Sequence, residues 1–335
     1  MKLPKPIKLK SGVYRIQLKL GGKSIMVYGE TEARCRQQAA LIKSEHRAGA
    51  VIQTKCRYTV SDAIDKYIAD RPKLSPATVR GYRCIQHNVF QDAMPLIADS
   101  VDWQEVVDND RHSPKTIKNA WGFIRSVLNS VGVTPPKINL PQMKKSERPF
   151  LQPDQIKPFL NALRGQPCEI AALLGLHSLR RSEILDLTYA DIDLSKNIIH
   201  VKGAAVVDEN SNLVHKDTNK NAASTRDVPI MIPRLSELVR LNAKNHQPDD
   251  YLVTVHPSTL YHQINAVCKK AGLPQVGCHG LRHSMVSLSF HIGWSELSCM
   301  KVAGFSNFAV MRDIYTHLAE ADKQKDIADM KKFFA

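Results

Sequence analysis

Residues 141–152, Pro-Gln-Met-Lys-Lys-Ser-Glu-Arg-Pro-Phe-Leu-Gln, break the chain near its middle. The stretch is polar, charged and set between prolines, which is the signature of a linker rather than of a core element. A chain of 335 residues has room for two or three domains at ~150 residues each. The interruption therefore predicts separate cores on its two sides, and the hydrophobic patterns differ accordingly.

Before the linker, residues 13–28 alternate apolar and polar side chains around Gly21-Gly22. Two strands joined by Gly-Gly form a hairpin. Thr31 then caps a helix running to about Arg47. From 56 to 140 the period becomes helical. Thr59-Val60-Ser61-Asp62 fits a capping box. Ser75-Pro76-Ala77-Thr78 and Ser113-Pro114-Lys115-Thr116 share one start device: serine caps the free N–H groups, and proline suits a first position whose N–H is not needed. Ile117, Ala120, Trp121, Ile124 and Leu128 make an apolar stripe. The reading is a bundle of about four helices.

After the linker, helices are expected near 153–163, 167–177 and 181–187. A β section follows at 197–201, 213–215 and 226–230, with a turn at 208–212, and helix returns from Ser258 onward. The fold class is thus multidomain and mainly α with small β sheets. The domains read as 1–55 (sheet plus helix), 56–140 (helical bundle), 141–152 (linker) and 153–335 (mixed α+β).

Charge is uneven. Residues 1–55 carry twelve Lys and Arg against three acids, a net +9 of the +15 on the whole chain. Such a focus resembles an electrostatic footprint for phosphates. With 43% hydrophobic residues the chain is no disordered basic tail. There is no run of about 18 apolar residues for a membrane span and no apolar stretch of a secretion signal at the start. The expectation is a cytoplasmic protein with a polyanionic partner and no membrane. Seven widely spaced cysteines, without a Cys-x-x-Cys, read as free thiols rather than a disulfide framework or a zinc site.

Three short motifs carry the chemistry. They are Arg180-Arg181-Ser182-Glu183, His279-Gly280-Leu281-Arg282-His283 and Tyr315-Thr316-His317. In this order and spacing they resemble the tyrosine recombinase (phage integrase) family, and Ser224-Thr225-Arg226-Asp227-Val228-Pro229 matches that family's strand following a lysine. The basic segment 1–55 resembles the arm-site-binding module of phage and conjugative-element integrases. The resemblance covers essentially the whole chain.

The resemblance implies that Tyr315 is the nucleophile, forming a phosphotyrosine link that preserves bond energy for rejoining. Arg180 and Arg282 would neutralise the non-bridging oxygens of the transition state, since guanidinium forks are bidentate and permanently charged. His279 completes the motif. Lys220 would protonate the 5′-oxygen leaving group, with Lys216 as the second choice. Glu183 would orient its neighbours or cap the helix. Phe305 departs from the family: Ala303-Gly304-Phe305-Ser306 stands where Leu-Gly-His-Ser is usual. Phenylalanine has no donor, and losing one donor costs about 2–4 kcal/mol of transition-state stabilisation at most. An active but slowed enzyme is expected.

Other groups read as structural. His279 and His283 have the spacing of a zinc pair, but Gly280 replaces the metalloprotease Glu and no third ligand is evident, so neither metal nor cofactor is expected. Trp121 and Trp294 read as core, and His317 as structural. Ser75–Arg83 and Ser113–Arg125 are candidate DNA-facing helices. Residues 320–335 read as a charged helix, with Phe333 and Phe334 anchoring on a neighbouring protomer or on the chain's own core.

The implied partners are double-stranded DNA at core and arm-type sites, a homotetramer on paired sites, and accessory DNA-bending or directionality proteins. The implied activity is integration and excision of a phage, prophage or other mobile element. The alternatives are a dimer-resolving recombinase, a type IB topoisomerase, and a DNA-binding relative that has lost catalysis.

Overall fold

The structure is a computed structural model that describes residues 4–8, 14–20, 23–29, 31–47, 56–143, 149–216, 225–305 and 330–331. The chain divides into two compact units. One is Met1–Lys73 with Cys84–Met143, and the other is Leu74–Arg83 with Lys144–Ala335.

In the first unit, strands β1 (Ile7–Lys8), β2 (Tyr14–Leu20) and β3 (Lys23–Gly29) form an antiparallel sheet in that order. Strands β2 and β3 pair antiparallel with Leu20 opposite Lys23, and Gly21-Gly22 lie outside the described residues. A short β1 joins the edge, which the sequence did not reveal. Helix α1 (Glu32–Arg47) follows, with the Arg34 N–H donated to Thr31 Oγ1. Ile16, Leu18 and Val27 are buried with Cys35 and Ala39 of α1. Gln17 and Lys19 alternate with them to the exposed face, as the period of two requires.

The helical part contains α2 (Val60–Ala69), α3 (Pro76–Asn88), α4 (Trp103–Asn109) and α5 (Pro114–Ser130). The predicted caps form: Thr59 accepts from Asp62 N–H, Ser75 from Thr78 N–H and Ser113 from Thr116 N–H. Each satisfies a donor that the first turn cannot. Trp103 and Trp121 are buried with ring centroids 5.4 Å apart. They join Ile64, Ile117, Ile124 and Leu128 among the buried side chains.

The second unit holds α6 (Pro153–Leu163), α7 (Glu169–Leu176) and α8 (Arg181–Ile184), then β4 (Ile192–Asp193), β5 (Ile198–Val201), β6 (Ala204–Val207), β7 (Leu213–Lys216) and β8 (Arg226–Pro229). Helices α9 (Pro233–Asn242), α10 (Pro257–Lys270), α11 (Cys278–His291) and α12 (Glu296–Ala303) complete it. The sheet order is β4-β5-β8, antiparallel, and β6 pairs with β7 as a separate hairpin.

Helix α7 is buried on every side, and α11 packs on it closely: a Cβ on Gly175 would lie 3.2 Å from Leu281 Cβ. The expected helix at 181–187 is one turn, because Leu185 already caps it. Strand β6 and helix α9 were not foreseen. All seven cysteines are free, and five of them are buried. Trp294 is half-buried against Val286, Cys299 and Ala303.

Candidate active site

The site begins in the turn after α7. His177 ends that helix, fully buried, with Nδ1–H donated to Leu173 O at 2.7 Å. Its Nε2 accepts from the Met231 and Ile232 N–H groups. Burial pulls its pKa down to about 4, against the smaller opposing effect of the Leu173 hydrogen bond. The neutral ring thus staples α7 to the segment after β8. Ser178 follows in the left-handed region, φ 64°, and its carbonyl accepts from both Arg282 Nη1 and Arg226 Nη2.

Arg180 is the N-cap residue of α8, in extended conformation. Glu183, 2% exposed, reaches back so that Oε2 accepts the Arg180 N–H at 2.8 Å. The same carboxylate accepts from two guanidinium groups. Arg180 Nη1 lies 2.6 Å from Oε1, and Arg226 Nη1 and Nη2 lie 3.2 and 3.1 Å from Oε1 and Oε2. Burial opposes ionisation of Glu183, but the Arg226 hydrogen bonds and charge, with help from Arg180, hold its carboxyl below the usual range. Arg180 Nη2 donates to Gly304 O at 2.7 Å, while its side chain stays 35% exposed.

Arg282 comes from α11. It is 1% exposed, and its Cζ lies 4.3 Å from the Phe305 ring centroid, a cation–π contact. Burial, then the nearby Arg180 charge, lowers its pKa to about 9, which leaves it protonated at neutral pH. Its Nη2 is buried with no hydrogen-bond partner among the described residues. His279 and His283 are one turn apart on the same helix, with ring centroids 4.4 Å apart, edge to face. His279 is exposed and His283 half-buried.

The motif around them is shaped by packing. A Cβ on Gly280 would sit 2.8 Å from Pro149 O. Ser284 Oγ receives the Leu151 N–H and donates to Gly280 O. The chain entering the second unit is thereby pinned across α11 at the His-x-Leu-Arg-His turn.

Arg180, Glu183, Arg282 and Phe305 are therefore brought together, with His279 on the helix that carries Arg282. Lys220 and Tyr315 lie outside the described residues, as do His317, Phe333 and Phe334. Lys216 closes β7, opposite Ala204. Arg226 is the residue whose role the sequence did not disclose. One signal was present: in a strand, Arg226 shares a face with Val228, and Val228 is fully buried. An inward arginine needs a buried partner.

Three guanidinium groups around one carboxylate leave a surplus of two positive charges. That arrangement suits a single tetrahedral anion bound at the exposed edge of Arg180. Among the described residues, no group of three or more His, Cys, Asp and Glu converges as a metal ion would require.

Comparison with known proteins bears on the family and the fold. The family model described as the phage integrase family matches residues 149–322. The chain is 25% identical over 267 residues to a protein named tyrosine recombinase XerC-like from Caldanaerobacter subterraneus subsp. tengcongensis, covering 66% of this chain and 67% of the relative. It is 26% identical over 169 residues to the integrase of Staphylococcus phage L54a, covering 45% and 47%. Among solved structures, the Tn1549 transposon integrase in complex with transposon right end DNA superposes with a TM-score of 0.64 at 20% identity. That match covers 83% of this chain and all of the other, and it shows a shared fold.

Proposed function

The chain belongs to the phage integrase family of tyrosine recombinases, and on that premise we propose that it integrates and excises a mobile DNA element by phosphotyrosine strand cleavage and exchange. The observation that carries this reading is the pair Arg180 and Arg282. They come from separate elements, stand beside one carboxylate, and are joined through Ser178, Gly304 and Phe305. Permanent bidentate donors fixed in advance are what a pentavalent phosphoryl transition state needs.

In this mechanism the scissile phosphate docks on Arg180 and Arg282. The Tyr315 phenolic oxygen gives up its proton to solvent and bonds to phosphorus as the bond from phosphorus to the 5′-oxygen breaks, and Lys220 protonates that 5′-oxygen. His279 supplies a further donor at the phosphate. Glu183 holds Arg180 rather than moving protons, in keeping with its two arginine partners. The phosphotyrosine retains the bond energy, so rejoining uses neither ATP nor a metal.

Residues 1–55 grip arm-type DNA. Residues 56–140 and 153–335, joined by 141–152, clamp the core site. Four protomers act on two paired duplexes, with accessory DNA-bending or directionality proteins. The support is the +9 on the first segment and relatives named as integrases. The proposed setting is the DNA of a bacterial cytoplasm; among the described residues no helix is long and apolar enough to cross a membrane.

The test uses fragments of the host genome to recover the core site, followed by a nicked duplex of that site. Cleavage next to a nick releases a short oligonucleotide and traps the covalent adduct. The wild type is expected to form the adduct and Tyr315→Phe to form none. Tight binding with no adduct would identify a DNA-binding relative that has lost catalysis.

A further inference from the structure

Arg226 is a buried arginine that the proposed reaction leaves without a task. Its side chain is 7% exposed and its donors are turned to the chain's own oxygens, whereas Arg282 keeps Nη2 without a partner among the described residues. Yet its donors are spread over three separate segments. Nε donates to Val302 O at 3.1 Å in the last turn of α12, Nη1 and Nη2 to the two oxygens of Glu183, and Nη2 also to Ser178 O at 3.4 Å.

The neighbouring carbonyl of that α12 terminus, Gly304 O, is held by Arg180. Carbonyls at a helix C-terminus lack partners within the helix and carry the negative end of its dipole, so two guanidinium groups stabilise this one. The contacts form a closed ring: Arg226 to Glu183, Glu183 to Arg180, Arg180 to Gly304, and Val302 back to Arg226.

Gly304 shows how tightly the ring is drawn. Its φ is +65°, and a Cβ there would lie 2.9 Å from Arg226 Nε and 3.0 Å from Cδ and Cζ. The glycine is needed twice, once for the left-handed cap and once for the arginine lying against it. Ser178 O, which Arg226 shares with Arg282, connects the same guanidinium to the other phosphate arginine.

We propose that Arg226 is a positioning residue that locks the last turn of α12 to Glu183 and thereby sets the direction of Arg180 at the scissile phosphate. The inference rests on the recombinase reading given above. A lysine cannot do the same work, because its compact ammonium cannot span a carboxylate and two carbonyls as the planar fork does.

The test is a double-mutant cycle on the rate of covalent adduct formation, measured with the full chain at saturating nicked core-site DNA. Arg226→Lys is expected to slow the adduct by about ten- to a hundredfold while leaving DNA affinity within about twofold. In an Arg180→Lys background the same change is expected to add less than about threefold, because residues acting through one another are not additive. An equal factor in both backgrounds overturns the proposal. So does an unchanged rate, or a loss explained entirely by weaker DNA binding.

Should Arg226→Lys fail to fold, as judged by its thermal melt, Gly304→Ala takes its place in the cycle with the same expectation and the same contrary results. If the wild type binds the site and forms no adduct, the recombinase reading itself fails and this inference falls with it.

Discussion

The Phe305 ring lies on the Arg282 guanidinium where the family usually carries a hydrogen-bond donor. The position therefore packs against Arg282, which the proposed mechanism places at the phosphate, but offers the phosphate no donor. Phe305→His restores one, and the rate of adduct formation is expected to rise about tenfold or more. An unchanged rate would mean that the aromatic contact already does what the site requires.

His177 makes a separate prediction for stability. Its folded pKa of about 4 lies below its ordinary 6.5 because burial disfavours the imidazolium. The neutral ring therefore stabilises the fold fully above pH 6.5, and that contribution is lost as the pH falls from 6.5 towards 4. Between pH 7 and 5 the loss is about 2 kcal/mol. Denaturant unfolding at the two pH values is expected to show it, and His177→Gln to flatten it.

At the level of helices and strands, what could be read in advance followed from local chemistry. The serines at 75 and 113 cap the helices they precede because the cap bond spans three residues of one segment. Strand β6, Ala204–Val207, was missed because two alanines give little strand signal and its pairing with β7 comes from tertiary placement. The arginine-rich motif was legible as a pattern. The role of Arg226 was not, since Glu183 is 43 residues away, and the Ser178 carbonyl is 104 residues from Arg282.

Gly280 belongs to the same class. Its place in His-Gly-Leu-Arg-His is explained by Pro149 O, which a Cβ would meet at 2.8 Å. Gly280→Ala is expected to destabilise the second unit by about 1–3 kcal/mol, as overpacking does, and to slow adduct formation by displacing α11. A wild-type thermal melt and rate in this variant would contradict the packing argument.

For the molecule as a whole, charge and chemistry are divided. Arg15 and Lys19 lie on a sheet whose other face buries Ile16 and Leu18, and the segment 1–55 holds +9 of the +15. Neutralising both residues is expected to lower the salt dependence of DNA binding by about 0.9 in slope for each phosphate that is no longer neutralised, with cleavage of an isolated core site unchanged. A slope equal to the wild type's would remove this sheet from the DNA interface.

In the proposed mechanism the surplus of two positive charges around Glu183 has a different task, at one phosphate. The identity of the covalently linked residue tests that most directly. Wild-type protein trapped on a nicked core-site duplex would be digested with protease and nuclease, and the peptides sequenced by mass spectrometry. The expected product is a peptide with a nucleotide phosphodiester on Tyr315. A linkage to any other side chain would contradict the mechanism proposed for this site.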